Sequence, residues 1–279
     1  MSLYTMKELL NDAQRKRYGV GYFNAVNLEM VRACIRAAEE CRSPIIIGTA
    51  EALLPVASFE WIVPVMLEQA RRARVPVAVH LDHAYRFDVL MQALRAGFGS
   101  VMYDGTREDG FQDNVRKSAE LVRIAHGMGV GVECELGSVG GLSDEAGQAD
   151  SVVYTEPADA KGFLEETGAD FLAVSIGTAH GVYHSKPKLD LPRLREIRAA
   201  VDAPLVLHGG SGLSDDDFRN TVADGISKIN IYTDVILAGR KALSEQPEAS
   251  YTDAILRAED AMERAVAAKL RLFGSENRA

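Results

Sequence analysis

Short apolar runs rich in Val, Ile, Leu and Ala recur eight times along the chain, at 19–23, 44–48, 76–81, 100–103, 131–136, 171–176, 204–207 and 226–231. Most are continuous rather than alternating, as expected of parallel strands covered on both faces. The segments between them are long enough for a crossover helix. Two of these, 28–40 (LEMVRACIRAAEE) and 114–125 (NVRKSAELVRIA), carry apolar residues at helical spacing. Eight strand–helix units predict an α/β fold, a closed (β/α)8 TIM barrel, with 1–279 forming one domain. An open doubly wound sheet is the competing arrangement. Its nucleotide-binding form needs G-x-G-x-x-G after the first strand, where this chain reads GVGYFNAVN. Beyond the eighth run, 253–272 has the pattern of an additional C-terminal amphipathic helix, suited to cap the barrel or build a subunit interface. The small, polar stretch 140–149 (GGLSDEAGQA) predicts a mobile loop after the fifth strand.

Composition narrows the partners. A chain of 279 residues with 47% apolar and 25% charged residues can bury a large core. Its net charge of -9, without a concentrated Lys/Arg block, argues against nucleic acid or an anionic membrane as the main partner, while leaving room for a local pocket that binds a small anion. No stretch reaches the length of a membrane span, and the charged start MSLYTMKELL lacks the apolar core of a signal peptide, so a cytoplasmic location is expected. Cys34, Cys41 and Cys134 lack C-x-x-C spacing and read as buried thiols.

A barrel places its chemistry at the C-terminal ends of its strands, and the polar residues keep that phase. Asn24, Thr49, Asp82 with His83, Asp104, Glu135, His180, His208, and Asn230 with Thr233 fall at or just after successive strand ends. A lone strand-end histidine is usually structural. His83, His180 and His208 on one face instead make a three-imidazole set with an open position, the pattern of a catalytic zinc site. His80 reads as a hydrogen-bonded core residue, and His126 and His184 as solvated or interfacial. Asp104 and Glu135 are alternate metal ligands or acceptors for imidazole N–H groups, or else buried carboxylates paired with Lys228. Asp82, next to His83, is placed to exchange a proton with a substrate hydroxyl, or merely orients a ligand. His208 opens HGGSG, whose backbone N–H groups can receive phosphate opposite Thr233, with Gly181 offering another N–H; as a bland alternative it is an ordinary turn.

With these residues in place, the chain resembles the class II, metal-dependent ketose-bisphosphate aldolases, especially the tagatose- and fructose-bisphosphate branch. The resemblance runs nearly end to end. It rests on HLDH at 80–83, SVMYDG at 100–105, VECELG at 132–137 followed by Gly140 and Gly141, IGTAHGVY at 176–183, PLVLHGGSG at 204–212 and KINI at 228–231. It implies one catalytic Zn2+ on His83, His180 and His208, with Asp82 as acid/base. It also implies dihydroxyacetone phosphate held by Gly181, Gly209, Ser211, Asn230 and Thr233. A monovalent cation (Na+ or K+) near the phosphate and a homodimer or homotetramer are further family expectations.

One departure stands out. The family carries a glutamate two positions beyond the double glycine for proton transfer at carbon, and Ser143 occupies that position here, leaving Glu145 or Asp144 as replacements or as solvated loop charges. The expected activity is reversible cleavage of a phosphorylated ketose, such as tagatose or fructose 1,6-bisphosphate, to dihydroxyacetone phosphate and an aldehyde. Alternatives are a different ketose phosphate with a non-phosphorylated or acidic aldehyde end, and a weakly catalytic subunit that needs an accessory partner. A metallohydrolase barrel would carry H-x-H after its first strand. A Schiff-base aldolase would carry a lysine in the sixth run, and both are absent.

Overall fold

The computed structural model describes residues 2–106, 109–139, 153–181, 183 and 187–279. Eight parallel strands close a barrel in sequence order: β1 (Val20–Asn24), β2 (Ile45–Ala50), β3 (Val77–Ala84), β4 (Ser100–Tyr103), β5 (Gly131–Leu136), β6 (Phe171–Val174), β7 (Leu205–Leu207) and β8 (Ile226–Ile231). Strand β8 pairs with β1, Tyr22 lying opposite Asn230. Each expected run holds a strand; β3 runs on to Ala84, and β6 stops at Val174.

A first helix, α1 (Met6–Lys16), precedes the barrel, and one helix follows each strand: α2 (Leu28–Cys41), α3 (Phe59–Arg72), α4 (Phe87–Ala96), α5 (Phe111–Gly127), α6 (Pro157–Thr167), α7 (Leu191–Ala200), α8 (Asp215–Ala223) and α9 (Thr233–Ser244). The additional C-terminal helix is α10 (Tyr251–Leu272), packed on α2 and α9. Its Glu259 is fully buried and takes Arg36 at 2.9 Å and Arg32 at 3.2 Å. Among the described residues no helix is long and apolar enough to cross a membrane.

Strand periodicity sorts the core into two layers. Phe23, Ile45, Ile47, Val77, Val79, Leu81, Val132, Cys134, Leu172 and Val174 face outward and pack with the surrounding helices. The alternate residues Val20, Tyr22, Ile46, Ala78, Phe171, Ala173 and Val206 face inward and cluster with Met6, Leu9, Leu10 and Ala13 of α1. Because both faces are covered, the strands read as continuous apolar runs. Helix α1, which the strand–helix scheme does not require, plugs the N-terminal end of the barrel. A capping box starts it: the Thr5 side chain accepts from the Glu8 amide, and Glu8 accepts from the Thr5 amide at 2.8 Å. The three cysteines are free and buried, as their spacing suggested.

Candidate active site

The end of β3 shows how the backbone brings two consecutive side chains inward. Strict alternation points His80 and Asp82 into the barrel and turns His83 away. Between Leu81 and Ala84, however, β3 carries one residue more than β4, a bulge, and His83 sits at φ +20°. The bulge re-aims its side chain toward the strand ends, as bulges beside functional sites do. His208 follows β7 directly, and His180 lies in the loop after β6. One nitrogen from each of His83, His180 and His208 falls within 4.8 Å of the others, so the three converge.

Carboxylates hold two of the rings from behind. His83 Nδ1 lies 2.9 Å from Asp104 Oδ2, while Asp104 Oδ1 accepts from the Thr106 amide (3.1 Å) and hydroxyl (2.7 Å). Burial pushes the Asp104 carboxyl up, but His83 and Thr106 outweigh it and hold it well below the usual carboxylate range. His208 Nε2 lies 2.9 Å from Glu133 Oε1. Its Nδ1 comes within 2.8 Å of Glu135 Oε2, but neither atom has a hydrogen-bond partner of acceptable geometry. We therefore read that contact as charge proximity rather than a bond.

Burial lowers the proton affinity of His208, yet Glu133 and Glu135 overcome it and raise the pKa to about 10. For His180, burial and then its histidine neighbours push the pKa down to about 3, leaving a neutral ring. His83 Nε2 and His208 Nδ1 are buried without partners. An orphaned atom such as His83 Nε2 is costly, and a divalent cation shared with His208 Nδ1 would satisfy it while taking the place of the extra proton that Glu133 and Glu135 favour on His208. The donor set therefore fits a metal.

Asp82, 2% exposed, lies beside this triad. The Asn230 amide nitrogen donates to both its oxygens, at 2.9 and 3.1 Å. Burial raises its proton affinity, but the charges of His83 and Lys228 prevail and hold the carboxyl below its ordinary range. It is thus an ionised carboxylate in a nearly dry setting. Asn230 engages Asp82 directly, and its Oδ1 is left buried without a partner.

The loop after β7 packs against the start of α9. Gly209 has φ +65°, and a Cβ there would sit 2.5 Å from the Ala179 carbonyl oxygen, so only glycine fits. The Ser211 hydroxyl accepts from the Tyr232 and Asp234 amides at 3.3 Å each, tying this loop to the α9 N-terminus where Thr233 lies half-buried. Tyr183 clamps the neighbouring loops, accepting from the Ala179 amide at 2.9 Å and donating to the Gly209 carbonyl at 2.8 Å. Gly181 adopts φ +93°. On the far side, Asn24 Oδ1 accepts from the Tyr22 hydroxyl at 2.6 Å, and the buried Thr49 Oγ1 has no partner.

His80 is a core residue with Nδ1 2.9 Å from Ser100 Oγ, and His126 is partly exposed with Nε2 2.8 Å from Asp170. Lys228 pairs with Glu133 at 2.7 Å, which corrects the alternative pairing with Asp104 or Glu135; those two carboxylates face His83 and His208 instead. Sequence reasoning missed Glu133. The available signal was its i, i+2 relation to Glu135, which puts both on the interior face of β5. Ser143, Asp144, Glu145 and His184 lie outside the described residues. An apolar hollow of about 480 Å³, lined by Val26, Leu54, Val56 and Trp61 among others, touches none of the site residues.

An eight-stranded parallel barrel with three converging histidines and a buried aspartate at its strand ends defines a metal-dependent barrel enzyme as a class. Residues 4–278 match the family model described as fructose-bisphosphate aldolase class-II. The chain is 39% identical over 287 aligned residues to a fructose-bisphosphate aldolase of Geobacillus stearothermophilus, covering 100% of this chain and 99% of that one. It is 39% identical over 306 aligned residues to a fructose-bisphosphate aldolase of Thermus caldophilus, covering 99% and 100%. The crystal structure of the YdjI aldolase from Escherichia coli K12 superposes with a TM-score of 0.91 at 37% identity, covering 99% of each chain. The chain belongs to the class II fructose-bisphosphate aldolase family and is a class II aldolase, an aldehyde-lyase. The family implies a divalent metal, for which His83, His180 and His208 form the candidate site.

Proposed function

We propose that this chain is a zinc-dependent aldolase that reversibly cleaves a phosphorylated ketose, such as tagatose or fructose 1,6-bisphosphate, to dihydroxyacetone phosphate and an aldehyde. The observation carrying this reading is the convergence of His83, His180 and His208, with His83 Nε2 buried and unpartnered, next to an ionised Asp82. His83 through Nε2, His208 through Nδ1 and His180 would hold the ion. Bound there, zinc polarises the ketose carbonyl and stabilises negative charge developing as the carbon–carbon bond breaks.

The remaining steps fall to side chains. Asp82 removes the proton from the hydroxyl on the carbon that becomes the aldehyde, so that the electrons of the breaking bond flow toward the carbonyl half; it returns the proton in condensation. Asn230 holds Asp82 in place through its amide nitrogen. Asp104 and Glu133 fix the ring orientations of His83 and His208. The backbone around Gly209 and Ser211, the α9 N-terminus at Thr233, and Gly181 form the phosphate cradle, with Asn24 and Thr49 on the opposite side of the substrate. Glu145 or Asp144 supplies the proton to carbon that completes dihydroxyacetone phosphate, in place of the glutamate that Ser143 replaces.

A panel of ketose phosphates, incubated with zinc-loaded protein and read by coupled detection of dihydroxyacetone phosphate, tests the proposal. Release from at least one member is expected. No release from any, with zinc bound, would sink it. Turnover by the purified chain alone would remove the alternative of a partner-dependent subunit.

A further inference from the structure

Beneath the three-histidine site, and sharing Asp82 with the aldolase chemistry, lies a second cluster of potential metal ligands. His80, Asp82 and Glu133 each offer one ligand atom, all within 4.8 Å of one another, and all three residues are buried. His80 Nε2 has no hydrogen-bond partner; it stands 3.6 Å from Glu133 Oε2 and 3.9 Å from Asp82 Oδ1. An imidazole nitrogen and two carboxylates at this spacing make a set that a divalent ion accepts.

A cation is already present. Lys228, two residues before Asn230 on β8 and fully buried, places Nζ 2.7 Å from Glu133 Oε2, 3.9 Å from Asp82 Oδ1 and 4.6 Å from the centre of the Tyr22 ring. That ring stands edge-on to His80 at 5.4 Å. Gly48 leaves it room, because a Cβ at 48 would meet Tyr22 at 2.8 Å and the His80 carbonyl oxygen at 1.8 Å. Glu133 thus divides its two oxygens, Oε2 toward the ammonium and Oε1 toward His208 Nε2.

We propose that Lys228 is a resident cation, built into the chain in place of a second divalent ion: it closes the His80–Asp82–Glu133 cluster to metal and holds Glu133 so that His208 presents Nδ1 to the upper site. The second half rests on the metal reading above; the first does not. Lys228 is a positioning residue here. Its ammonium is engaged by Glu133 beneath the histidines, so a Schiff-base role is not required to explain a buried lysine.

Metal content, measured without substrate, separates this proposal from the aldolase reading. After loading with excess Zn2+ and desalting, Lys228→Met is expected to retain one more equivalent of zinc per chain than the wild type, whatever the wild-type value. A folded Lys228→Met protein with wild-type zinc content overturns the proposal. Should that variant fail to fold, Lys228→Met/Glu133→Gln removes both charges of the pair. Its zinc affinity is expected to fall about 10–100-fold, the usual effect of losing a group that orients a ligand, with an altered visible spectrum of the Co2+-substituted form. Wild-type affinity together with an unaltered Co2+ spectrum would reduce the pair to a structural role and overturn the proposal.

Discussion

Below the level of His80 the barrel interior is hydrocarbon: Met6 and Leu10 of α1 close against Val20, Ile46, Ala78, Phe171, Ala173 and Val206. The rest of the interior, drawn from β3, β4, β5, β7 and β8 and the residues just beyond them, carries Asp82, Asp104, Glu133, Glu135, His208 and Lys228, each no more than 4% exposed. Burying a large apolar side chain contributes about 1.5–3 kcal/mol, whereas burying a charge is costly unless it is paired. The lower half therefore supplies stability, and the upper half consumes it to hold charges and unpartnered nitrogens in position. Because one continuous set of strands connects them, damage to either half should have a different signature.

The largest effect is expected from removing the metal. A chelator should lower aldolase turnover by roughly a thousandfold or more, the equivalent of several kcal/mol of charge stabilisation, and added zinc should restore it. Persistent activity in metal-free protein would break the assignment of the upper half. Asp82→Asn comes next, with kcat reduced about 10²–10⁴-fold, as for loss of a general acid/base, while zinc content measured by atomic absorption stays at the wild-type level. Leu10→Ala probes the lower half: it should cost about 2–5 kcal/mol in urea denaturation and leave turnover per folded molecule unchanged. A comparable loss of kcat in that variant would mean that the two halves are mechanically coupled.

Asp104→Asn should be milder, weakening zinc affinity about 10–100-fold by loosening His83. The smallest expected effect lies at the N-terminal rim. Asp170, in the turn before β6, bonds Lys7 and His126, each at 2.8 Å, and the Val132 amide at 2.9 Å. Burial raises its proton affinity, but these partners dominate and depress it below the ordinary value. A depressed carboxyl stabilises the fold above its unfolded pKa of about 3.9, and that contribution disappears as pH falls through the folded value. The Tm difference between wild type and Asp170→Asn should therefore be greatest near pH 6 and shrink on acidification below about pH 4. A gap that stays constant would show that Asp170 acts through packing instead of charge.

Much of the fold was legible because burial on both faces makes a strand visible as a continuous apolar run, and each of the eight runs holds one. Helix α1 was not required by that pattern, although Thr5 and Glu8 already spelled its capping box. Its role depends on which hydrocarbon surface the closed barrel leaves open at the bottom. In the site, His83, His180 and His208 were found by their phase at strand ends. Lys228 was legible as the partner of a buried carboxylate, but Glu133, the carboxylate it meets, had only its i, i+2 relation to Glu135 to mark it, and the pairing itself depends on the register between strands.

By itself, then, the sequence determined the eight-unit barrel, the face that carries the chemistry and the family to which the chain belongs, because local periodicity and short motifs are carried by neighbouring residues. Tertiary structure alone decided that the β3 bulge turns His83 inward beside Asp82, that Asn230 holds Asp82, and that Lys228 faces Glu133 in place of Asp104 or Glu135. Those are contacts between strands far apart in sequence, 95 residues for Lys228 and Glu133 and 148 for Asn230 and Asp82. Which of several nearby carboxylates a buried cation meets is set by barrel closure and strand register, quantities that no single segment contains.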